Sequence, residues 1–275
     1  MKLGVVADVH WPADPSTRAA WHNPFDFAGL PDRLDRARER FESEAVDAIL
    51  VCGDLTHDGD RESVRAACRR LVGSAPVLVV AGNHDCLARD DQPGRSLPHG
   101  ATVLSGDWIE IGGQRLAGVS IARNDGTGAF RWTGAPVDNA SPAVVVAHFP
   151  VLSRAGRVAE RGLAYPGDLT NRGALEQRLR SGSPIVVLSG HLHVREACAH
   201  GTLLQLSAGA LVEAPHEVAI VDVHAARAEL RVRRRVHCLG PGPAGSDPVL
   251  APADETWAFA HRAWRAERPA PERAA

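Results

Sequence analysis

Five short apolar runs in this chain each end, within a few residues, in side chains that bind metal ions or move protons. Leu3-Gly4-Val5-Val6-Ala7 leads into Asp8 and His10, and Ala48-Ile49-Leu50-Val51-Cys52 into Gly53-Asp54. Val77-Leu78-Val79-Val80-Ala81 leads into Gly82-Asn83-His84-Asp85, Ala143 to Ala147 into His148, and Ile185 to Leu188 into Gly190-His191-Leu192-His193. One strand that ends in a Gly-Asn turn is ordinary; five that end alike point to a shared site. The residues offer carboxylate, imidazole and a neutral amide, a mixture that suits Mn, Fe or Zn better than Ca or Mg. They outnumber the ligands of one tetrahedral zinc, so two divalent metal ions are expected. Two cations about 4 Å apart clamp a phosphate and bring a bridging water to a pKa near neutral, giving hydroxide for in-line attack. A histidine not used as a ligand can protonate the leaving oxygen or stabilise developing charge.

The elements that must position these groups read as strands. In α/β sheets ligands bind beyond the carboxyl ends of strands, so the five endings could converge on one edge. Asp8 with His10, and His191 with His193, are two residues apart, and in extended backbone each pair would project to one side. Helical spacing runs over Asp32 to Ala45 (Leu34, Ala37, Phe41, Ala45) and over Asp60 to Val72, and Thr170 to Arg180 also reads as a helix. Trp108 to Ile111, Gly112-Gly113 and Arg115 to Val119 spell a hairpin. Leu203 to Ser207, Val218 to Val223 and Glu229 to Val236 read as consecutive strands, whereas Trp11 to Leu30 and Arg123 to Asn139 read as loops. Gly240 to Asp254 is Pro/Gly-rich, and Glu255 to Arg265 is expected to form a short helix docked through Trp257, Phe259 and Trp264. The division implied is a domain over 1–239 followed by a linker and short C-terminal segment over 240–275.

The ordered series Asp8-x-His10, Gly53-Asp54, Gly82-Asn83-His84-Asp85, His148 and Gly190-His191-x-His193 resembles the calcineurin-like metallophosphoesterases across roughly residues 3 to 224. It is closest in pattern to the class III cyclic-nucleotide phosphodiesterases. The resemblance implies an α/β fold, a four-layer αββα sandwich in a single domain, with a binuclear metal centre. It implies that Asp8, His10 and His193 hold one metal, that Asn83, His148 and His191 hold the other, and that Asp54 bridges them. His84 would be the catalytic histidine that binds no metal. Asp85 and Asp58 are both candidates to orient it.

Other residues have bland readings beside functional ones. His57, Trp11, His22 and Arg123 are candidate substrate contacts, and Trp21 and Trp132 lie in loops that could also line a pocket; each is equally compatible with local packing. Asp222-Val223-His224 repeats the opening triplet, but no further motif follows it, and it reads as an ordinary strand end. Arg233-Arg234-Arg235 sits in a strand pattern and reads as a solvated face.

Composition narrows the class. The chain has 275 residues, 44% apolar and 23% charged, with a net charge of −2, so nothing draws it in bulk to nucleic acid or a membrane surface. No apolar run approaches a membrane span, and no leader pattern opens the chain. Five cysteines (Cys52, Cys68, Cys86, Cys198, Cys238) without CxxC spacing fit a reduced, cytoplasmic protein. The expected function is a metal-dependent phosphoesterase acting on a soluble metabolite or nucleotide, with phosphodiesterase favoured over phosphatase. A nuclease of the DNA-repair exonuclease type and a non-catalytic scaffold of the same fold are the alternatives.

Overall fold

The computed structural model of the chain describes residues 1–85, 97–124, 126–134, 143–180, 182–226, 229–242 and 245–267. Two sheets face each other. The first begins with β1 (Lys2–Val6), β2 (Ala48–Cys52), β3 (Val77–Val80) and β4 (Ala101–Val103), all parallel. On the other side of β1 it continues antiparallel through β13 (Glu217–Ala226), β14 (Glu229–Cys238), β15 (Asp254–Ala260) and β16 (Ala263–Glu267). The second sheet is ordered β11 (Glu196–His200), β12 (Leu203–Ser207), β10 (Ile185–Ser189), β9 (Ala143–Ala147), β6 (Gln114–Gly118) and β5 (Ile109–Ile111). β7 (Ser120–Arg123) and β8 (Phe130–Gly134) form a separate hairpin.

Period-two alternation assigns each central strand a face toward the facing sheet and a face toward helices. Leu3, Val5 and Ala7 of the first run, with Ala48, Leu50 and Cys52, meet Val144, Val146, Val186, Leu188, Leu204 and Leu206 between the sheets. Their neighbours Val6, Ile49 and Val51 turn outward onto α1 (Leu30–Ser43) and α2 (Arg61–Leu71), where Leu34, Ala37, Phe41, Val64, Cys68 and Leu71 are buried. Gly4 is where α1 comes closest: a Cβ there would stand 2.6 Å from the Phe41 ring. On the far side, Leu175 and Leu179 of α4 (Arg172–Arg180) cover Val145, Val187 and Leu203. A short helix α3 (Ala155–Glu160) buries only Val158. The layers run helix, sheet, sheet, helix, as the motif series implies.

Boundaries follow local chemistry. Pro31, near the start of α1, extends that helix two residues upstream of Asp32, and Ala45 lies beyond it at φ 50°. The Asp60 carboxylate caps α2 by accepting from Ser63 N at 2.8 Å.

Three expectations are corrected. The segment after the Pro/Gly-rich stretch is a β-hairpin, not a helix: Trp257 and Phe259 alternate opposite Val232 and Leu230 of β14, and Phe259 pairs with Trp264. Its two-residue turn, His261-Arg262, has both residues at positive φ, the geometry that matches strand twist. The loop expected over 123–139 contains β8, although 125 and 135–139 lie outside the described residues. Among the three arginines, Arg234 turns inward, 2% exposed, to pair with Glu255 at 2.5 Å, while Arg233 and Arg235 pair with Asp254 and Glu44 nearer the surface. Strand alternation separates them. Among the described residues no helix is long and apolar enough to cross a membrane.

Candidate metal centre

The expected ligands do meet, beyond the carboxyl ends of β1, β2, β3, β9 and β10. The backbone that delivers them is not extended. Asp8, His10, Asp54, His191 and His193 have φ values of 51°, 49°, 49°, 69° and 54°, a left-handed region that costs non-glycine residues energy and that Asp and His tolerate better than most. The Asp8/His10 and His191/His193 pairs are therefore delivered by tight turns, not by the alternation of extended backbone. Cross-loop hydrogen bonds hold the turns: Asp8 N to Gly53 O at 3.2 Å, His10 N to Asp54 O at 2.9 Å and Gly190 N to His148 O at 3.1 Å. Gly82 has no alternative, since a Cβ there would collide with the Asp54 carboxylate and backbone.

On one side, His10 Nε2 and His193 Nε2 stand 3.2 Å apart. Asp54 Oδ2 is 3.6 Å from the first and Asp8 Oδ1 3.7 Å from the second. Two imidazole lone pairs do not face each other at that distance without a proton or cation between them. On the other side, His148 Nε2 lies 2.9 Å from Asn83 Oδ1 and 3.3 Å from Asp54 Oδ2. Its Nδ1 donates to the Cys52 carbonyl at 3.0 Å, which fixes the ring so that Nε2 faces the cluster. His191 Nε2 is buried with no partner among the described residues, and its ring is 4.9 Å from that of His148. Asp54 touches both halves. The orphaned nitrogen, the facing ring nitrogens and the mixed donor set fit two cations. Asp8–His10–His193 and Asp8–Asp54–His148 each bring their ligand atoms within 4.8 Å of one another.

The charges agree. Burial pushes Asp8 up to about 6 against the pull of His193 and His148. Burial would raise Asp54 too, but His148 and His10 hold it well below the usual carboxylate range. Burial opposes charge on His148, yet the Asp54 and Asp8 carboxylates lift it to about 9. In the metal-free protein His148 therefore keeps its proton at neutral pH, and a cation taking Nε2 must displace it. Apparent Mn²⁺ affinity is expected to rise with pH toward about 9 and flatten above it. Calorimetry at pH 7 in buffers of different ionisation heat should register proton release. Uptake without release would remove His148 from the ligand set.

His84 sits against this cluster, its ring 4.5 Å from that of His10. Neither Asp85 nor Asp58 orients it. His84 Nδ1 donates to the His57 carbonyl at 2.6 Å, and the His57 ring stacks on it at 5.3 Å. The Asp85 carboxylate is buried and accepts from Leu55 N, Thr56 N, Thr56 Oγ1 and Gly82 N at 2.9–3.2 Å. It ties together the loops after β2 and β3, so its expected catalytic role is corrected to a structural one. Asp58 accepts from Ala13 N.

The candidate substrate contacts separate. His57 lies in the site, as does His22, whose Nε2 donates to the Leu192 carbonyl between two expected ligands at 3.0 Å. Trp11 packs on the helix layer beneath Arg70 (5.8 Å) and is corrected to a packing residue. Arg123 hydrogen-bonds the Gly128 carbonyl of its own hairpin, not the ligand cluster. Trp132 packs on the second sheet with Nε1 donating to Asn171 O. Asp222 pairs with Lys2 at the opposite end of β1, which disposes of the repeated triplet.

Several site residues escaped the sequence reading. Phe25 stacks on His193 at 5.6 Å and lies 5.2 Å from His10, and Phe149 lies 3.9 Å from His191. Phe25 thus packs on the His10 and His193 imidazoles and Phe149 on those of His148 and His191. Glu213, 1% exposed, accepts from His193 Nδ1 at 2.7 Å. A signal for it existed: Glu213 directly follows the short apolar stretch Ala210-Leu211-Val212.

A sequence model of the calcineurin-like phosphoesterases matches residues 1–195, which include all seven expected ligands and His84. The chain belongs to that family. A solved structure agrees in fold. A dimetal phosphatase from Danio rerio is 14% identical, with 93% of this chain and 98% of that one covered at a TM-score of 0.61. A phosphoesterase from E. coli (14% identity, 84% and 91% covered, TM-score 0.38) and a Vps29 mutant from Entamoeba histolytica (17%, 87% and 94%, 0.38) are more distant matches. The family is one of dimetal phosphoesterases, and this chain carries candidate residues for both metals.

Proposed function

We propose that this protein hydrolyses a phosphoester of a soluble metabolite or nucleotide, with a diester favoured over a monoester on the motif pattern shared with class III cyclic-nucleotide phosphodiesterases. The observation that carries the reading is a doubled ligand cluster around Asp54 with a separately anchored histidine, His84, beside it. Asp8, His10 and His193 would hold one cation and Asn83, His148 and His191 the other, with Asp54 shared. Bound cations (Mn, Fe or Zn by donor type) supply a Lewis-acidic clamp on the phosphate and lower the pKa of water at the site.

The chain's own groups supply the rest. His84 is anchored through Nδ1, so Nε2 is the position that carries an exchangeable proton. As water oxygen joins phosphorus and the bond to the leaving oxygen breaks, the ring's second proton, on Nε2, passes to that oxygen as the alcohol departs, and the proton shed by the attacking water returns through solvent to Nε2. The Asp54 carboxylate accepts from His84 N at 2.8 Å, which keeps the histidine in register with the ligands. Phe25 and Phe149 exclude water from the imidazoles, which strengthens charge interactions there. Trp21, 41% exposed beside His22, belongs to the outer wall. We place the protein in the cytoplasm, acting on small molecules and not on nucleic acid or membranes.

The reading is tested by assaying Mn-reconstituted protein on p-nitrophenyl phosphate, bis-p-nitrophenyl phosphate, cyclic nucleotides and DNA. Turnover of the small esters, abolished by chelation and restored by metal, is expected. Activity on DNA alone would favour a nuclease, and no activity on any substrate with metals bound would favour a scaffold.

A further inference from the structure

We infer that Glu213 and Asn23 are positioning residues for His193, and that through it they set the affinity of the cation position on the Asp8–His10–His193 side alone. The inference rests on the dimetal reading above and adds an asymmetry to it.

The two halves of the centre are supported differently. On one side the His148 ring is held by a neutral backbone carbonyl, that of Cys52. On the other, His193 Nδ1 meets a full carboxylate, Glu213 Oε1, at 2.7 Å with both partners buried. A carboxylate there requires Nδ1 to carry the proton. That leaves Nε2 as the bare nitrogen toward Asp8 and His10, and it makes the ring a more basic ligand. The second oxygen of Glu213 accepts from Asn23 N at 2.6 Å, so the carboxylate cannot swing away without losing a buried hydrogen bond.

Asn23 is itself fixed. It is 5% exposed, and its Nδ2 donates to Ala214 O at 3.2 Å and to Ser246 O at 3.0 Å. It joins the aromatic loop, the segment carrying Glu213 and the Pro/Gly-rich stretch. That last segment also grips the ligand loop directly. Arg195 N donates to Pro248 O at 3.0 Å, Leu250 N to Arg195 O at 2.8 Å, and Arg195 Nε to Ala251 O at 2.9 Å. Glu213 and the 246–251 strap lie beyond the residues matched by the family model, which end at 195. The support thus joins Asn23, within the matched residues, to Glu213 and the strap beyond them.

The test uses full-length metal-free protein titrated with Mn²⁺ by calorimetry, together with the visible absorption of the Co²⁺-loaded form. Wild type is expected to take up two ions. Glu213→Gln keeps the shape but loses the charge and one acceptor, and it should weaken one of the two ions by about 10- to 100-fold while leaving the other unchanged. Anomalous diffraction should place the weakened ion among Asp8, His10 and His193. Asn23→Ala should give a smaller loss at the same position. Unchanged binding, or equal weakening of both ions, overturns the inference.

If Glu213→Gln does not unfold cooperatively, Zn-loaded wild type labelled with ¹⁵N-histidine supplies the readout. His193 should show a slowly exchanging proton on Nδ1, and a freely exchanging or absent Nδ1 proton overturns the inference. A wild type that takes up no manganese overturns the dimetal reading, and this one with it.

Discussion

His84→Ala is expected to retain both metal ions while kcat falls by about 10²- to 10⁴-fold, the usual worth of a general acid. The structure ties the His84 ring to a carbonyl through Nδ1 and to a neighbouring ring by stacking, and the bond to Asp54 comes from its backbone N–H, which alanine keeps. Its loss should therefore spare the ligands. The deficit should grow with the pKa of the leaving alcohol: large for a nucleoside alkoxide, small for p-nitrophenolate, which departs without a proton. KM should move less than kcat, because the lost interaction is made mainly in the transition state. Kinetics on both substrates, with metal content measured on the same samples, decide the matter. Equal losses on both leaving groups would reassign His84 to electrostatic stabilisation, and no loss with metals intact would remove its catalytic role.

Asp54→Ala is expected to be at least as damaging, by a different route. One carboxylate lies 3.6 Å from His10 Nε2 and 3.3 Å from His148 Nε2, and it also accepts from His84 N at 2.8 Å. Removing it withdraws a shared ligand from both cation positions, and it strips the buried His148 of its nearest counter-charge, leaving Asp8 at 4.0 Å. The His148 pKa should drop from about 9, so proton release on metal uptake should shrink as affinity falls. Both ions should be lost together. Loss of one ion alone would mean that Asp54 serves a single position.

Much of this site could be read from residue order because strands deliver their final residues to one edge whatever happens elsewhere. Asp8, Asp54, Asn83, His148 and His191 each follow an apolar run within three residues, so the core pattern and the ligand types agree. What failed was whatever depends on the third dimension. Sequence offers Asp85 and Asp58 as partners for His84, yet the Asp85 side chain turns back to four donors from the loops around it and Asp58 accepts from Ala13 N. Glu213 is remote in sequence from His193, and Phe25 was one aromatic among several in a loop without period. Trp11 and Phe25 carry the same kind of signal, but only tertiary packing sends the first to the helix layer and the second onto two imidazoles. Glu255 to Arg265 is a hairpin and not a helix because Trp257 and Phe259 alternate at period two against β14, a strand signal.

The central claim is that two cations share Asp54 at the ends of these five strands. Anomalous diffraction from Mn-loaded crystals of wild type, with elemental analysis of Asp54→Ala prepared in parallel, tests it most directly. Two peaks are expected in wild type, one bounded by Asp8, His10 and His193 and one by Asn83, His148 and His191, each contacting Asp54, with both occupancies falling in the variant. A single peak, peaks away from these residues, or full metal content in Asp54→Ala would contradict it.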